Sequence, residues 1–246
     1  MCLIAVAWQV HPDFPLVLAA NRDEFYDRPT AAAAWWDDAP EIAGGRDLQA
    51  GGTWLGVSRR GRFAAVTNVR EPGLPTGNCS RGALTASYLR GNQSAREFAD
   101  TIRDADYAGF NLLLGDGQHL VYCSNRGERQ RKLAPGIYGL SNHRLDTPWP
   151  KLVKLRGAFA QALAELPATE ACFQLLADSH LAPDHELPAT GVSLEWERVL
   201  SAIFVRTEGY GTRASTVLRQ MAAGGFWLEE RSFNAEGPCG AVTLSA

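Results

Sequence analysis

Short apolar runs joined by turn-forming segments, with no regular alternation of strand and helix, restrict the folds open to this chain more than any other feature. Residues 3–10 and 16–20 are apolar and are separated by His11-Pro12-Asp13-Phe14-Pro15, which has the composition of a hairpin connection. The same pattern recurs at 53–58 and 62–67 around Arg59-Arg60-Gly61, and at 110–115 and 119–124 around Asp116-Gly117-Gln118. Residues 130–133 and 137–140, split by Ala134-Pro135-Gly136, predict a further pair. Helical character falls at 80–90, at 94–103, where Phe98 and Ile102 share a face, and at 151–166, 168–179 and 194–204. Strands return over 214–220, 225–232 and 241–244. The stretch 25–52, rich in Ala, Asp, Gly and Trp, predicts a long, partly irregular excursion of the kind that lines a site. This order argues against a doubly wound parallel sheet. It predicts an α+β fold of antiparallel sheets with helices packed outside. No repeat or linker interrupts the chain, and residues 1–246 are read as one domain.

Composition narrows the partners. A formal net charge of -3 gives no electrostatic basis for binding nucleic acid or an anionic membrane. No apolar run approaches the roughly 18 residues that span a bilayer. The apolar start lacks a basic leader region and is broken early by Pro12 and Pro15, which predicts a buried first strand in a cytoplasmic protein. Of the five cysteines, Cys79, Cys123, Cys172 and Cys239 are scattered, with no CxxC spacing for zinc, thioredoxin or haem chemistry. Nothing in the pattern calls for a cofactor.

Cys2 differs because of its position. Removal of Met1 would give Cys2 a free α-amine beside its own thiol. The two groups titrate near ~8 and ~8.5, so the residue can serve as nucleophile and base together. Asn21-Arg22-Asp23-Glu24 ends the second apolar run, opposite the first strand if a hairpin forms, and a strand-end arginine beside a thiol would favour the thiolate. Asn68 and Asn142 each end a short apolar run, where a side-chain amide can donate to an oxyanion. Arg213 stands just before a late strand.

Taken in order, Cys2, Asn21-Arg22-Asp23-Glu24, Gly51-Gly52-Thr53-Trp54-Leu55-Gly56, Thr67-Asn68-Val69-Arg70, Ser80-Arg81-Gly82, Phe110-Asn111, Gly139-Leu140-Ser141-Asn142 and Thr212-Arg213-Ala214-Ser215-Thr216 resemble the NRDE family, also called transport-and-Golgi-organisation-2-like. The likeness spans essentially the whole chain. It implies an N-terminal-nucleophile (Ntn) hydrolase-like αββα four-layer sandwich, with two antiparallel sheets between helical layers. A more distant resemblance is to the choloylglycine hydrolase and penicillin V acylase group of amidases. By that likeness Cys2 would be the nucleophile, Arg22 would stabilise its thiolate, Asn68 and Asn142 would serve the oxyanion and amine, and Arg213 would support the site. Those amidases carry an aspartate three residues after the arginine, where this chain has Phe25. Asp23 or Glu24 is left to orient the amine, and Asp23 faces away from Arg22 if strand alternation holds.

The function implied is hydrolysis of a C–N bond in a small amide through a thioester. The family also implies an alternative, a non-catalytic carrier of haem or another apolar ligand. Five histidines, with His143 the first to test, offer no ligand-spaced motif for it. Trp35-Trp36, Trp54 and Trp149 are candidates to line an apolar pocket. A third reading is an interaction module without chemistry. Oligomeric state has no signature in the sequence.

Overall fold

Alternation along the first hairpin decides how the layers stack. In β1 (Cys2–Trp8) and β2 (Leu16–Phe25), Cys2, Ile4, Val6, Leu18 and Ala20 enter one apolar core, while Leu3, Ala5, Ala7, Val17 and Ala19 enter another. A strand buried on both faces reads as a continuous apolar run, which is why these two stand out in the sequence. The computed structural model describes residues 2–74 and 77–246; Met1, whose removal the sequence predicts, lies outside the described residues.

The chain continues through β3 (Thr30–Trp36), β4 (Ala39–Asp47), β5 (Leu55–Ser58) and β6 (Phe63–Asn68). Helices α1 (Arg81–Arg90) and α2 (Ala95–Thr101) precede β7 (Phe110–Gly115), β8 (Leu120–Ser124), β9 (Gln130–Lys132) and β10 (Gly136–Leu140). Then follow α3 (Pro150–Ala162), α4 (Glu170–Leu176) and α5 (Leu194–Val199), and finally β11 (Tyr210–Gln220), β12 (Phe226–Asn234) and β13 (Gly237–Ser245). Among the described residues, one antiparallel sheet has the order β10-β1-β2-β11-β12-β13, and the other runs from β3 to β9 in sequence order.

Three apolar clusters fill the three interfaces of an αββα sandwich. Ile4, Leu18, Phe63, Leu113 and Leu218 pack between the sheets. Leu84, Tyr88, Phe98 and Leu112 join α1 and α2 to the second sheet. Leu3, Val17, Leu155, Phe159 and Phe173 join α3 and α4 to the first. The start of α2 is held by a reciprocal capping box between Ser94 and Glu97.

Three expectations are corrected. The stretch 25–52, expected as a long, partly irregular excursion, is mostly the β3–β4 hairpin, whose register shifts at Ala31/Ala34 and Trp35/Trp36, and its flanks at Phe25, Arg28 and Ala50 do line a cleft beside Cys2. Those bulges break the period of two that marks a strand in sequence. The expected pair 130–133 and 137–140 also separates. Strand β9 pairs with β8 in one sheet, and β10 pairs with β1 in the other. Ala134-Pro135 turns the chain, but turn residues do not specify which sheet receives the next strand. Helix α5 stops at Val199, short of the predicted 204.

Glu230 fastens the sheets to each other. Its carboxyl accepts the Ala33 N–H of β3 at 2.7 Å and the Thr216 hydroxyl of β11 at 3.2 Å. Burial pushes this carboxyl from 4.5 up to about 7, against those two hydrogen bonds and the Arg22 charge. The folded state therefore holds the proton more tightly than the unfolded chain. Stability from this source is full below 4.5 and is lost as pH rises to about 7. Chemical denaturation at pH 4.5 and pH 7.5 should show a fall of roughly 3 kcal/mol that Glu230→Gln flattens; an unchanged slope in the variant would refute the assignment.

Candidate active site

Cys2 opens β1 directly across from Arg22 of β2, so both side chains leave the same face of the sheet. They meet a cleft of about 780 Å³ that is also bounded by Trp54, Asn68, Arg81 and Tyr210. Arg22 is buried, stacks 4.3 Å above the Trp54 ring and donates from Nη1 to the Thr30 hydroxyl at 3.2 Å. Burial pushes the Cys2 thiol up, and the Arg22 charge pulls it down without prevailing. The α-amine of the chain opposes burial more than the arginine does, so the group suited to assist attack is an amine base rather than Arg22.

The tetrapeptide at the end of β2 divides by face. Arg22 and Glu24 look into the cleft. Asn21 and Asp23 look toward the helices. The Asn21 amide donates to the carbonyls of Leu176 at 2.8 Å and Ile203 at 2.9 Å, and its oxygen accepts from the Ser215 hydroxyl at 2.6 Å. Asp23 accepts from the Thr212 hydroxyl at 2.8 Å within a buried charge cluster that includes Lys151 and Arg70. Burial raises the Asp23 carboxyl while Lys151 draws it down, and burial brings the Lys151 amine down to about 8 while Asp23 holds it up.

The two asparagines differ in role. Asn68 lines the cleft; Asn142 is fully buried behind it. The Asn142 amide donates to the Asn68 side-chain oxygen at 2.8 Å and to its carbonyl at 3.2 Å. That fixes the Asn68 amide orientation and leaves its Nδ2 as a donor without a partner among the described residues. Arg213 stands away from the cleft at the β11 bulge and donates from Nη1 to the carbonyls of Phe25 at 2.8 Å, Tyr26 at 3.1 Å and Arg28 at 3.2 Å. It pins the turn after β2. Three sequence candidates thus meet in the cleft, Cys2, Arg22 and Asn68, while Asn142, Asp23 and Arg213 stand around it.

Arg81 is the residue that sequence reasoning quoted without a role. It begins α1, lines the cleft, and donates to the Gly109 carbonyl at 3.2 Å. Two glycines put it there. A Cβ on Gly52 would lie 2.3 Å from the Gly82 carbonyl carbon, so only glycine lets α1 dock its first turn against the 52–53 backbone. The Thr53 N–H then donates to the Gly82 carbonyl at 3.3 Å, and the Thr85 hydroxyl donates to the Thr53 carbonyl. The glycines of the Gly51–Gly56 and Ser80–Gly82 motifs were the available signal, but their meeting is a long-range event. Trp54 forms a wall of the cleft, whereas Trp36 packs under the helices of the second sheet and Trp149 under α3. His143 is exposed, bonded to the Thr147 hydroxyl at 2.9 Å, and lies outside the cleft. Among the described residues no cluster of three or more His, Cys, Asp or Glu is arranged to hold a metal ion, and no helix is long and apolar enough to cross a membrane.

Comparison with known proteins agrees with this architecture. The chain is 39% identical over 264 residues to a bovine (Bos taurus) Transport and Golgi organization protein 2 homolog, covering 97% of this chain and 95% of that protein. A human homolog of the same name is 34% identical over 256 residues, covering 94% and 93%. Among solved structures, the C2A mutant of a conjugated bile acid hydrolase from Clostridium perfringens superposes with a TM-score of 0.55 at 8% identity, covering 99% of this chain and 92% of that one. A Caenorhabditis elegans ortholog of N-acylethanolamine-hydrolyzing acid amidase gives 0.50 at 14% identity, covering 88% and 92%. The sandwich is therefore an Ntn-hydrolase-like fold. With residues 1–235 matching the family pattern of Transport and Golgi organisation 2, the chain belongs to that family.

Proposed function

We propose that the protein is a cytoplasmic N-terminal-cysteine amidohydrolase acting on the C–N bond of a small molecule. The observation that carries this reading is the meeting of Cys2, Arg22 and the Asn142-oriented Asn68 in one cleft. In this mechanism Cys2 is the first residue of the mature chain. Its Sγ attacks the amide carbonyl carbon while the thiol proton passes to the Cys2 α-amine. The carbonyl oxygen takes up the negative charge and accepts from Asn68 Nδ2. Collapse breaks the C–N bond, and the ammonium returns its proton to the departing amine. Water then cleaves the thioester, which releases the acid and restores the thiol. A protonated, buried thiol suits this route, because the α-amine accepts the proton during attack and no free thiolate is required. Asp23, on the other face, is placed to influence the amine through the buried charge cluster, as a positioning residue.

The test is a screen of small amides against the wild type, with Cys2→Ala as control; no Cys2-dependent amine release from any member would remove the reading. A carrier of haem or another apolar ligand is the second reading, favoured by the apolar wall of Trp196, Leu200 and Tyr210. Saturable haem binding that survives Cys2→Ala, with no turnover, would replace the first reading by the second.

The asparagine pair gives a sharper prediction. Asn68→Ala should reduce kcat by about 100-fold, the usual loss for one oxyanion donor. Asn142→Ala should act through the same group, so the double variant falls no further than Asn68→Ala. Additive losses would show that Asn142 works independently.

A further inference from the structure

The cleft's acidic side chains are already engaged with arginines other than Arg22 and Arg81. Asp47 receives both Nε and Nη2 of Arg28, at 3.0 and 2.7 Å. Glu71 is held by Arg126 at 2.7 and 2.9 Å and by the Gly109 N–H at 2.8 Å. Glu24 has Arg28 at 4.0 Å. By contrast, Arg22 is only 5% exposed and has no carboxylate within ion-pair distance among the described residues, and neither has Arg81. Among the described residues each uses one of its five N–H donors in a hydrogen bond, to the Thr30 hydroxyl and to the Gly109 carbonyl respectively.

Two further features bear on the charge of the cleft. Arg70 also lines the cleft with a side chain 6% exposed. Its Nη1 goes to Glu197 at 2.9 Å, while Nε and Nη2 are buried with no hydrogen-bond partner among the described residues and belong to the charge cluster of Asp23 and Lys151. Helix α1 opens onto the cleft with no acidic residue in its first turn and no side-chain oxygen capping it at Ser80. Its backbone N–H groups and Arg81 therefore present positive charge in one direction. Burial pulls the Arg22 and Arg81 guanidinium groups below their ordinary range, outweighing Glu24 and Asp47 at Arg22 and Glu24 and Glu71 at Arg81, which act only from beyond ion-pair distance. An anion set directly against the two arginines offsets that burial.

We infer that the substrate carries an anionic oxygen group, a carboxylate or a phosphate, which Arg22 and Arg81 bind at the start of α1. The scissile amide rests on the reading given above; the anion site does not. The apolar side of the cleft, Trp196, Leu200 and Tyr210, receives the rest of the molecule. Arg81 is then a specificity residue, and its replacement discriminates between charged and neutral ligands.

The test uses three amides with the same dodecanoyl chain, on glycine, on phosphoethanolamine and on ethanolamine. Calorimetric titration into the Cys2→Ala protein measures binding without turnover. One or both anionic amides should bind at least ten-fold tighter than the neutral one, and the stronger of the two identifies the group. Arg81→Gln should weaken binding of the anionic amides at least ten-fold more than that of the neutral one, and Arg81→Lys should keep part of the preference. Equal affinities for all three amides overturn the inference without any Arg81 variant, and so does an equal loss for charged and neutral ligands in Arg81→Gln. Selective binding with no turnover by the wild type would sink the amidase reading and leave the anion site standing.

Discussion

Cys2→Ala is expected to lower amide turnover by about 10⁴-fold or more, because the substitution deletes the attacking atom itself. The loss should fall on kcat, since the arginines and the apolar wall that hold the substrate are untouched. It should cost the fold about 1 kcal/mol or less, as only one sulfur leaves a site at the end of a strand. Rapid-quench amine release and a thermal melt on the same preparation check both halves. A variant that keeps more than a tenth of the wild-type rate would move the chemistry elsewhere in the cleft. A variant that unfolds would make Cys2 a packing residue.

Asn21→Ala should produce the largest change in stability, about 3 kcal/mol. Asn21 is 1% exposed and links three elements, since it donates to carbonyls after α5 and at the end of α4 and accepts from Ser215 in β11. Truncation leaves the Leu176 and Ile203 carbonyls and the Ser215 hydroxyl without these partners. For a chain of this size that corresponds to a Tm lower by about 6–12 °C. Ser215→Ala, which removes one of the three bonds, should cost about 1 kcal/mol. A melt of Asn21→Ala within 2 °C of wild type would show that the helices stay fastened without it.

The places of Cys2 and Asn21 on β1 and β2 explain what the sequence conveyed. Strands β1 and β2 were legible because both faces are apolar and a proline-bearing turn separates them. Period two then assigns Asn21 and Asp23 to one face and Arg22 and Glu24 to the other, so the division of labour in this tetrapeptide follows from alternation alone. Where alternation is broken, legibility ends: the bulges in β3 hid a hairpin. Strand β10 was recognised as a strand, but its transfer to the far sheet depends on which edge lay open beside β1. Asn68 and Asn142 were both visible as strand-end amides. That one orients the other requires residues 74 apart to meet at 2.8 Å, which no local pattern encodes. Arg81 was the least legible, because an arginine in the first turn of a helix looks like any exposed charge until Gly52 and Gly82 bring that turn over the cleft.

The most direct test of Cys2 as an N-terminal nucleophile is intact-protein mass spectrometry with peptide mapping, after acid quench of protein turning over an amide identified by the screen. The account predicts a mature chain beginning at Cys2 and carrying one acyl group on that residue, released by hydroxylamine as a thioester. Active protein that retains Met1, or an acyl group carried anywhere but Cys2, would contradict it.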